Sequence, residues 1–233
     1  TKNKVDFETI SIELYYQLIE FMETELDLKP NTIGTHIKNL KAFLNEALEQ
    51  KLTTNYSHQS KHFIKPSAEA YTISLTWEEV DEIISLDLSN RPSLDSNRDL
   101  FIVVCTTGLR YSDLRQLNKK RIITKKSGNE IQLKPQKTGK GVVIPIDPRL
   151  QSIINKYQHT ETSFPKVISN QKLNRALKEL GKLIESLNST ELYTTTKGGK
   201  QVEMRKKRYE LLGTHTGRRT FATLWYLSEL LPP

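Results

Sequence analysis

Cysteine is almost absent from this 233-residue chain: Cys105 is the single one, and it lies in the apolar run LFIVVC. One thiol cannot form an internal disulfide, so a disulfide framework is excluded and a reducing compartment is expected. The run predicts a small buried side chain rather than a nucleophile. The sequence also lacks a stretch of about 18 apolar residues and a signal-peptide pattern, so we expect a cytoplasmic protein that does not span a membrane.

Acidic charge is scarce beyond the first part of the chain. The net charge is +8, and residues 1–57 hold 6 Lys and 9 Asp or Glu, a balance of −3, so residues 58–233 carry +11. Such an excess favours a polyanionic partner, nucleic acid first, although many basic proteins bind nothing in particular. The chain starts at TKNKVDF without a methionine and stops at ELLPP. We therefore treat it as a possible fragment.

The first part of the chain predicts helices. Apolar residues recur at helical spacing from Leu14 to Met22. They do so again in a second segment, whose start is marked by Pro30 and Asn31. From Lys29 to Asn45 the second helix carries no acid, which suits contact with DNA but also suits plain solvation. Its candidate DNA contacts are Thr35, His36, Lys38 and Lys41.

Apolar periodicity stops between Thr53 and Thr72, a polar and basic stretch that predicts an interdomain linker. Lys61 and Lys65 in this stretch are candidates for contact with a phosphate backbone. We expect a helical domain over 1–57, a linker over 58–74 and a second domain over 75–233.

The second domain predicts helices around a small antiparallel sheet, so the fold class is mainly α with some β. Thr76 and Glu79 form a capping box, and Gly108 predicts the end of the helix that contains LFIVVCTT. Ser112 and Asp113 are expected to cap the next short helix. Residues 121–147 show β-branched alternation broken by two turns, which predicts three short antiparallel strands. Further helices are expected around 148–157, 170–187 and from His215, with a loop or loose hairpin before the last.

Three local patterns point to an anion. Arg110 follows a helix end, where a guanidinium and backbone amides can converge on a phosphate; a surface arginine paired with Asp113 is the alternative. His215 and Arg218 lie three residues apart, on one face of a helix, and can touch one phosphate together; a helix-start histidine that only satisfies backbone groups is the alternative. Lys137 and Lys140 lie in the QKTGKG turn, where a lysine is well placed to enter a groove; a solvated hairpin is the alternative.

Taken together, these patterns resemble the tyrosine recombinases, the phage-integrase family, and most of all the integrases of conjugative and other mobile elements in bacteria. TGLRYSDL is similar to the first arginine motif, QKTGKGVVIPI to the hairpin lysine motif, and HTGRRTFAT to the His-x-x-Arg motif. The resemblance implies an N-terminal SAM-like core-binding domain and a catalytic domain. It gives catalytic roles to Arg110, Lys137, His215 and Arg218, with Asp113 in support. Further expected DNA contacts are Lys140, Arg205, Lys206 and Arg219.

The tyrosine nucleophile of that family has no counterpart in the quoted motifs, so we expect the catalytic domain to be incomplete at its C-terminus. Tyr226 is expected to serve core or helix packing rather than to act as the nucleophile, and Tyr111 has only proximity to Arg110 in its favour. The resemblance implies a recombinase that needs neither metal nor ATP, works on double-stranded DNA as a homotetramer on paired sites, and uses accessory DNA-bending or directionality proteins. Alternatives are a noncatalytic DNA-binding regulator or accessory factor with this fold, and a type IB topoisomerase.

Overall fold

A computed structural model describes residues 6–126, 128–197 and 199–228 of the chain. Ser127, in the first of the two turns expected within 121–147, and Pro233, the end of the expected catalytic domain, lie outside these residues. Contacts divide the chain into two compact units: Thr1–Tyr71 with Leu192–Arg205, and Thr72–Glu191 with Lys206–Pro233. We call them the N-terminal and the C-terminal unit. Within the described residues, no helix is both long and apolar enough to cross a membrane.

The N-terminal unit is built on two helices, α1 (Ile12–Thr24) and α2 (Pro30–Glu49). The Ser11 hydroxyl caps α1 by accepting from the Leu14 amide at 3.3 Å, and α2 begins at Pro30, as its proline predicts. The core of the unit consists of Tyr15, Met22, Ile33, Ile37 and Phe63.

Phe63 lies in the stretch predicted as a linker, and it is 1 % exposed within the N-terminal unit. His58, from the same stretch, is equally buried, and its Nε2 lies 2.8 Å from the Asn45 side-chain oxygen. This stretch lacks helical periodicity because only single side chains anchor it. The division into core-binding domain, linker and catalytic domain remains a prediction.

The C-terminal unit is mainly helical. Its helices, in chain order, are α3 (Trp77–Ser85), α4 (Pro92–Thr107), α5 (Tyr111–Leu114), α6 (Pro148–Lys156), α7 (Asn170–Gly181) and α8 (Thr214–Leu227). Helix α4 is the central one, because every residue from Asp99 to Thr107 is buried. The predicted capping box is confirmed: the Thr76 amide donates to Glu79 at 2.9 Å, and the Glu79 amide donates to Thr76 at 3.2 Å.

Two small sheets complete the architecture. Strands β1 (Ile122–Lys125), β2 (Gly128–Leu133) and β3 (Val142–Pro145) form an antiparallel sheet in that order, with Ile131 opposite both Ile122 and Ile144. The prediction of three antiparallel strands is confirmed. The stretch expected as a loop or loose hairpin forms two paired strands, β4 (Thr190–Lys197) and β5 (Lys200–Lys207).

Two local predictions are wrong. Helix α7 ends at Gly181 rather than near residue 187, because the chain tightens there into 3-10 turns while Ile184 and Leu187 stay buried. Helix α5 is preceded by Arg110 and has no side-chain cap from Ser112 or Asp113. Asp113 instead lies within the helix and is 1 % exposed, since its carboxylate is bonded elsewhere.

Candidate active site

Arg110 is presented by an abrupt helix end. Gly108 ends α4 in the left-handed conformation, with φ 62°, and its amide donates to the Val104 carbonyl at 2.9 Å. Glycine adopts this conformation without steric cost, which is why the predicted stop is confirmed at this residue. The chain then passes through buried Leu109 into the extended backbone of Arg110, so this half-buried side chain leaves the end of α4 directly.

Arg218 reaches the same place from α8. Gly217 lets α8 approach α4 closely: a Cβ there would lie 3.0 Å from Val104 and 3.1 Å from Phe101. One turn later, Phe221 packs over Gly108, where a Cβ would lie 2.3 Å from the ring. The Arg218 guanidinium donates through Nη1 to the Gly108 carbonyl. Two residues that are 110 positions apart in sequence are thereby joined at the end of α4.

The electrostatics of the pair favour an anion. Burial lowers the pKa of Arg218, the positive charge of Arg110 lowers it further, and the Asp113 carboxylate partly offsets both. Arg110 and Arg218 therefore repel each other in a partly desolvated place, where one acid does not balance both charges. A phosphate that accepts from both guanidiniums would relieve that repulsion.

Asp113 does not act as the ion-pair partner that would make Arg110 an ordinary surface charge. Its Oδ1 accepts from the Gln136 backbone amide at 2.9 Å and from the Gln116 side chain at 3.1 Å. Gln136 begins the turn that carries Lys137. A buried carboxylate thus ties the arginine helix to the lysine loop, a link that sequence reasoning missed because its partner is a backbone amide.

A cavity of about 640 Å³ opens at this point of the C-terminal unit. Arg110, Asp113 and Arg218 line it together with the loop residues Pro135 and Thr138, and apolar side chains of α8 form another part of its wall. Lys137 is exposed in the turn between β2 and β3. It is not among the described residues that line the cavity, although its neighbour Thr138 is. The turn closes through the Gly139 amide, which donates to the Pro135 carbonyl at 2.8 Å.

His215 is the second residue of α8 and is exposed on the same helical face as Arg218. Two asparagines of α7 fix this helix start. The Thr214 amide donates to Asn174 Oδ1 at 2.9 Å, and the Thr214 hydroxyl donates to Asn170 Oδ1 at 3.0 Å. The amides of a first helical turn need outside acceptors, and Asn174 supplies one. His215 is not among the described residues that line the cavity.

Comparisons with known proteins identify a matching family model and solved structures with a similar fold. Residues 1–63 match the model of the phage integrase SAM-like domain. A lambda integrase dimer bound to a COC′ core site has a TM-score of 0.66 at 16 % identity, over 94 % of this chain and 75 % of that one. The chain has the tyrosine-recombinase fold. It combines a SAM-like core-binding domain with an integrase catalytic-like fold, as the sequence predicts.

Other integrase structures agree. The Tn1549 transposon integrase in complex with circular intermediate DNA gives a TM-score of 0.64 at 14 % identity, covering 98 % of this chain and 76 % of that one. A lambda integrase tetramer bound to a Holliday junction gives 0.63 at 18 % identity, over 94 % of this chain and 60 % of that one. A sequence search of curated proteins finds no match.

Within this integrase fold, the two tyrosines near the arginines differ. The Tyr111 hydroxyl donates to the Ile168 carbonyl, so it has a structural partner. Tyr226 is 64 % exposed and lines the cavity. The expectation that Tyr226 packs in the core is therefore wrong, because this last turn of α8 presents it to the cavity rather than to the core.

The residues expected to contact DNA are mostly accessible. Thr35, His36, Lys38, Lys61, Lys65, Lys140 and Arg205 are exposed, and Lys206 and Arg219 are half-buried. Lys41 is the exception, since its ammonium donates to the Phe63 carbonyl at 3.0 Å and lies 5.7 Å from the Phe63 ring centroid. This contact ties Lys41 to the packing of the N-terminal unit.

Proposed function

We propose that the protein to which this chain belongs is a site-specific DNA recombinase that cuts and rejoins DNA through a 3′-phosphotyrosyl intermediate. The observation that carries the proposal is the convergence of Arg110 and Arg218 on one cavity, with Asp113 bonded to the loop of Lys137. The tyrosine-recombinase fold supports the same reading. A mobile element of a bacterium, integrated or excised in the cytoplasm, is the substrate that the sequence resemblance favours.

The chemistry follows from charge. Attack of a tyrosine oxygen on phosphorus places extra negative charge on the nonbridging oxygens, and two preorganised guanidiniums stabilise it. In our proposal Lys137 gives a proton to the leaving 5′ oxygen, and His215 assists removal of the tyrosine proton. The phosphodiester energy is retained in the new bond, so the step needs neither ATP nor metal. Asp113 acts by position, because its carboxylate already accepts two hydrogen bonds.

Duplex DNA is the proposed partner, with a homotetramer on paired sites and accessory bending or directionality proteins. The lambda integrase structures contain a dimer on a core site and a tetramer on a Holliday junction. Those assemblies belong to lambda integrase, and at 16–18 % identity they support only the fold of this chain. Lys140, Arg205, Lys206 and Arg219 remain proposed DNA contacts.

A covalent trapping assay tests the proposal. The longest available form of the protein is mixed with nicked cognate DNA, and a protein–DNA adduct is sought on a denaturing gel. Arg110→Ala and Arg218→Ala should each lower adduct formation by about 100-fold or more, the usual cost of one preorganised charge-stabilising donor. The control is Arg149→Ala, because Arg149 is bonded to Asp81 and stacks on Trp77 outside this cavity. An absent adduct, together with unchanged DNA binding by Arg110→Ala, would overturn the proposal.

A noncatalytic DNA-binding regulator is the second candidate, because the one tyrosine among the described residues that lines the cavity, Tyr226, lies on the same helix as Arg218 and not in a segment after it, where the family carries its nucleophile. A regulator would bind duplex DNA and form no adduct. Both candidates predict salt-sensitive binding, with a slope of log affinity on log salt near −5 if about six phosphates are contacted. If an adduct does form with this chain, its loss in Tyr226→Phe would identify Tyr226 as the nucleophile.

A further inference from the structure

A segment of the N-terminal unit, Ser60–Ala68, is fastened along α2 although it has no regular structure itself. Phe63 anchors it in the core, with its ring 4.4 Å from that of Tyr15. The Tyr15 hydroxyl donates to the Ile64 carbonyl at 2.8 Å. These contacts fix the path of the segment, whereas a segment that only connects two domains does not require such contacts.

Asn31 fixes the far end of this segment. Its side-chain Nδ2 donates to the Ala68 carbonyl at 2.8 Å, and its Oδ1 accepts from the Ala68 amide at 3.0 Å. One side-chain amide thus pairs with both backbone groups of one residue, 37 positions later in the chain. Such a paired contact sets both the position and the direction of the backbone at Ala68.

Gly34, one turn along α2, allows the close approach. A Cβ at this position would lie 2.0 Å from the Pro66 carbonyl oxygen and 3.2 Å from Cγ of Lys65. A glycine inside a helix costs about 1 kcal/mol relative to alanine, so its presence here needs a reason. Direct packing of the segment backbone on α2 supplies one, and it also places the stem of Lys65 against the helix.

The surface produced by this packing is basic. Residues 29–45 hold Lys29, Lys38 and Lys41, and residues 53–68 hold Lys61 and Lys65, without one Asp or Glu in either range; the next acid is Glu69. All of these lysines except Lys41 are exposed. Lys41 is bonded to the Phe63 carbonyl and so contributes its charge from within the packing.

We propose that Asn31 is a positioning residue, which holds Ser60–Ala68 on α2 so that Lys38, Lys61 and Lys65 form one preordered surface for DNA phosphates. The inference rests on the proposed function, since it assumes that duplex DNA is the partner. Asn31 makes no phosphate contact in this proposal. It lowers the entropic cost of ordering the lysines on DNA, which affects affinity and leaves the number of phosphate contacts unchanged.

The experiment measures binding of the chain to a fluorescent mixed-sequence duplex of about 30 base pairs between 50 and 200 mM salt, the range over which phosphate contacts change affinity strongly. Lys65→Ala removes a charge and should reduce the salt slope by about 1. Asn31→Ala should weaken binding by about 3- to 10-fold at every salt concentration, as expected for the loss of one or two hydrogen bonds, with an unchanged slope. Gln50→Ala is the control, because it removes a side-chain amide at the end of α2 whose one hydrogen bond within the described residues is to Glu46.

Hydrogen exchange separates positioning from loss of fold. In Asn31→Ala the Ala68 amide should lose protection, while the amides of the Ile33–Ile37 turn of α2 stay protected. Gly34→Ala should give the same exchange pattern by displacing Pro66. Wild-type affinity in a variant that has lost Ala68 protection would overturn the inference, as would retained protection in both variants. If the unaltered chain binds no duplex at all, the proposed function itself fails, an outcome distinct from these.

Discussion

Replacing Gly108 by alanine should destabilise the C-terminal unit, and the structure gives the size of the effect. Gly108 has φ 62°, where a Cβ costs about 1 kcal/mol. That Cβ would also lie 2.3 to 2.9 Å from three ring atoms of Phe221, and overpacking of this kind costs about 1–3 kcal/mol. The sum is a loss of about 2–4 kcal/mol in the free energy of unfolding.

Urea unfolding followed by tryptophan fluorescence measures this loss selectively, because Trp77 and Trp225 are the two tryptophans of the chain and both belong to the C-terminal unit. With a slope of about 2 kcal/mol/M, the midpoint should fall by about 1–2 M. Gly139→Ala is the matched control: Gly139 has φ 64°, but no atom lies within 4 Å of its added Cβ. It should therefore lose only about 1 kcal/mol, the strain without the clash.

The clash has a signature of its own. In a Phe221→Ala background, Gly108→Ala should cost less than it does alone, because the ring that the new Cβ meets is gone. Equal losses for Gly108→Ala and Gly139→Ala would refute the reasoning, since the packing of α8 on the end of α4 would then contribute nothing. The same packing places Arg218, so the result bears on the site as well as on the fold.

Three further predictions concern other places in the C-terminal unit. Asn174→Ala removes the acceptor of the Thr214 amide and should lower the free energy of unfolding by about 1 kcal/mol, measured by thermal melting. Cys105 should stay unreactive towards a thiol reagent until the protein unfolds, because complete burial raises the pKa of its thiol; modification at the native-state rate of a free thiol would contradict this. Burial raises the pKa of the Asp147 carboxyl above its ordinary value. The folded protein therefore loses stability as pH rises from the ordinary pKa of this group to its raised pKa, because the carboxyl is then deprotonated more readily in the unfolded chain. Asp147→Asn keeps an acceptor for the Leu150 amide and should stabilise the protein at pH 7 but not at pH 3, as urea midpoints at the two pH values can check.

Local signals in the sequence predicted local structure well. Pro30 begins α2, Thr76 and Glu79 form their capping box, and Gly108 ends α4, because each depends on the conformational preferences of one or two residues. The three strands within 121–147 also followed from the alternation of β-branched residues. The same reasoning gave Asp113 a capping role that it does not have, since capping was the nearest local use for a carboxylate after a helix end.

The links that assemble the site could not be predicted, because each joins a side chain to a distant backbone group. Asp113 accepts from the Gln136 amide, and Arg218 donates to the Gly108 carbonyl. Every residue has a backbone amide or carbonyl, so no residue type marks these partners in the sequence. Gly217 was the one available signal: a glycine between His215 and Arg218 indicates a close helix approach, here to Val104 of α4. The roles of the site residues themselves remain predictions until the trapping assay is done.

The paired strands β4 and β5 have a consequence for anyone who divides this protein. Residues 192–205 belong to the compact unit of Thr1–Tyr71, although they follow it by more than a hundred positions in the sequence. There the Tyr193 ring stacks on that of Tyr71 with centroids 4.8 Å apart, and Lys197 pairs with Asp27 at 3.5 Å. A fragment cut after Tyr71 would therefore lack part of its own unit and expose a tyrosine that is stacked in the whole chain. The solubility and DNA affinity of such a fragment would be those of an incomplete unit. A fragment that represents the whole unit would have to include residues 192–205 as well.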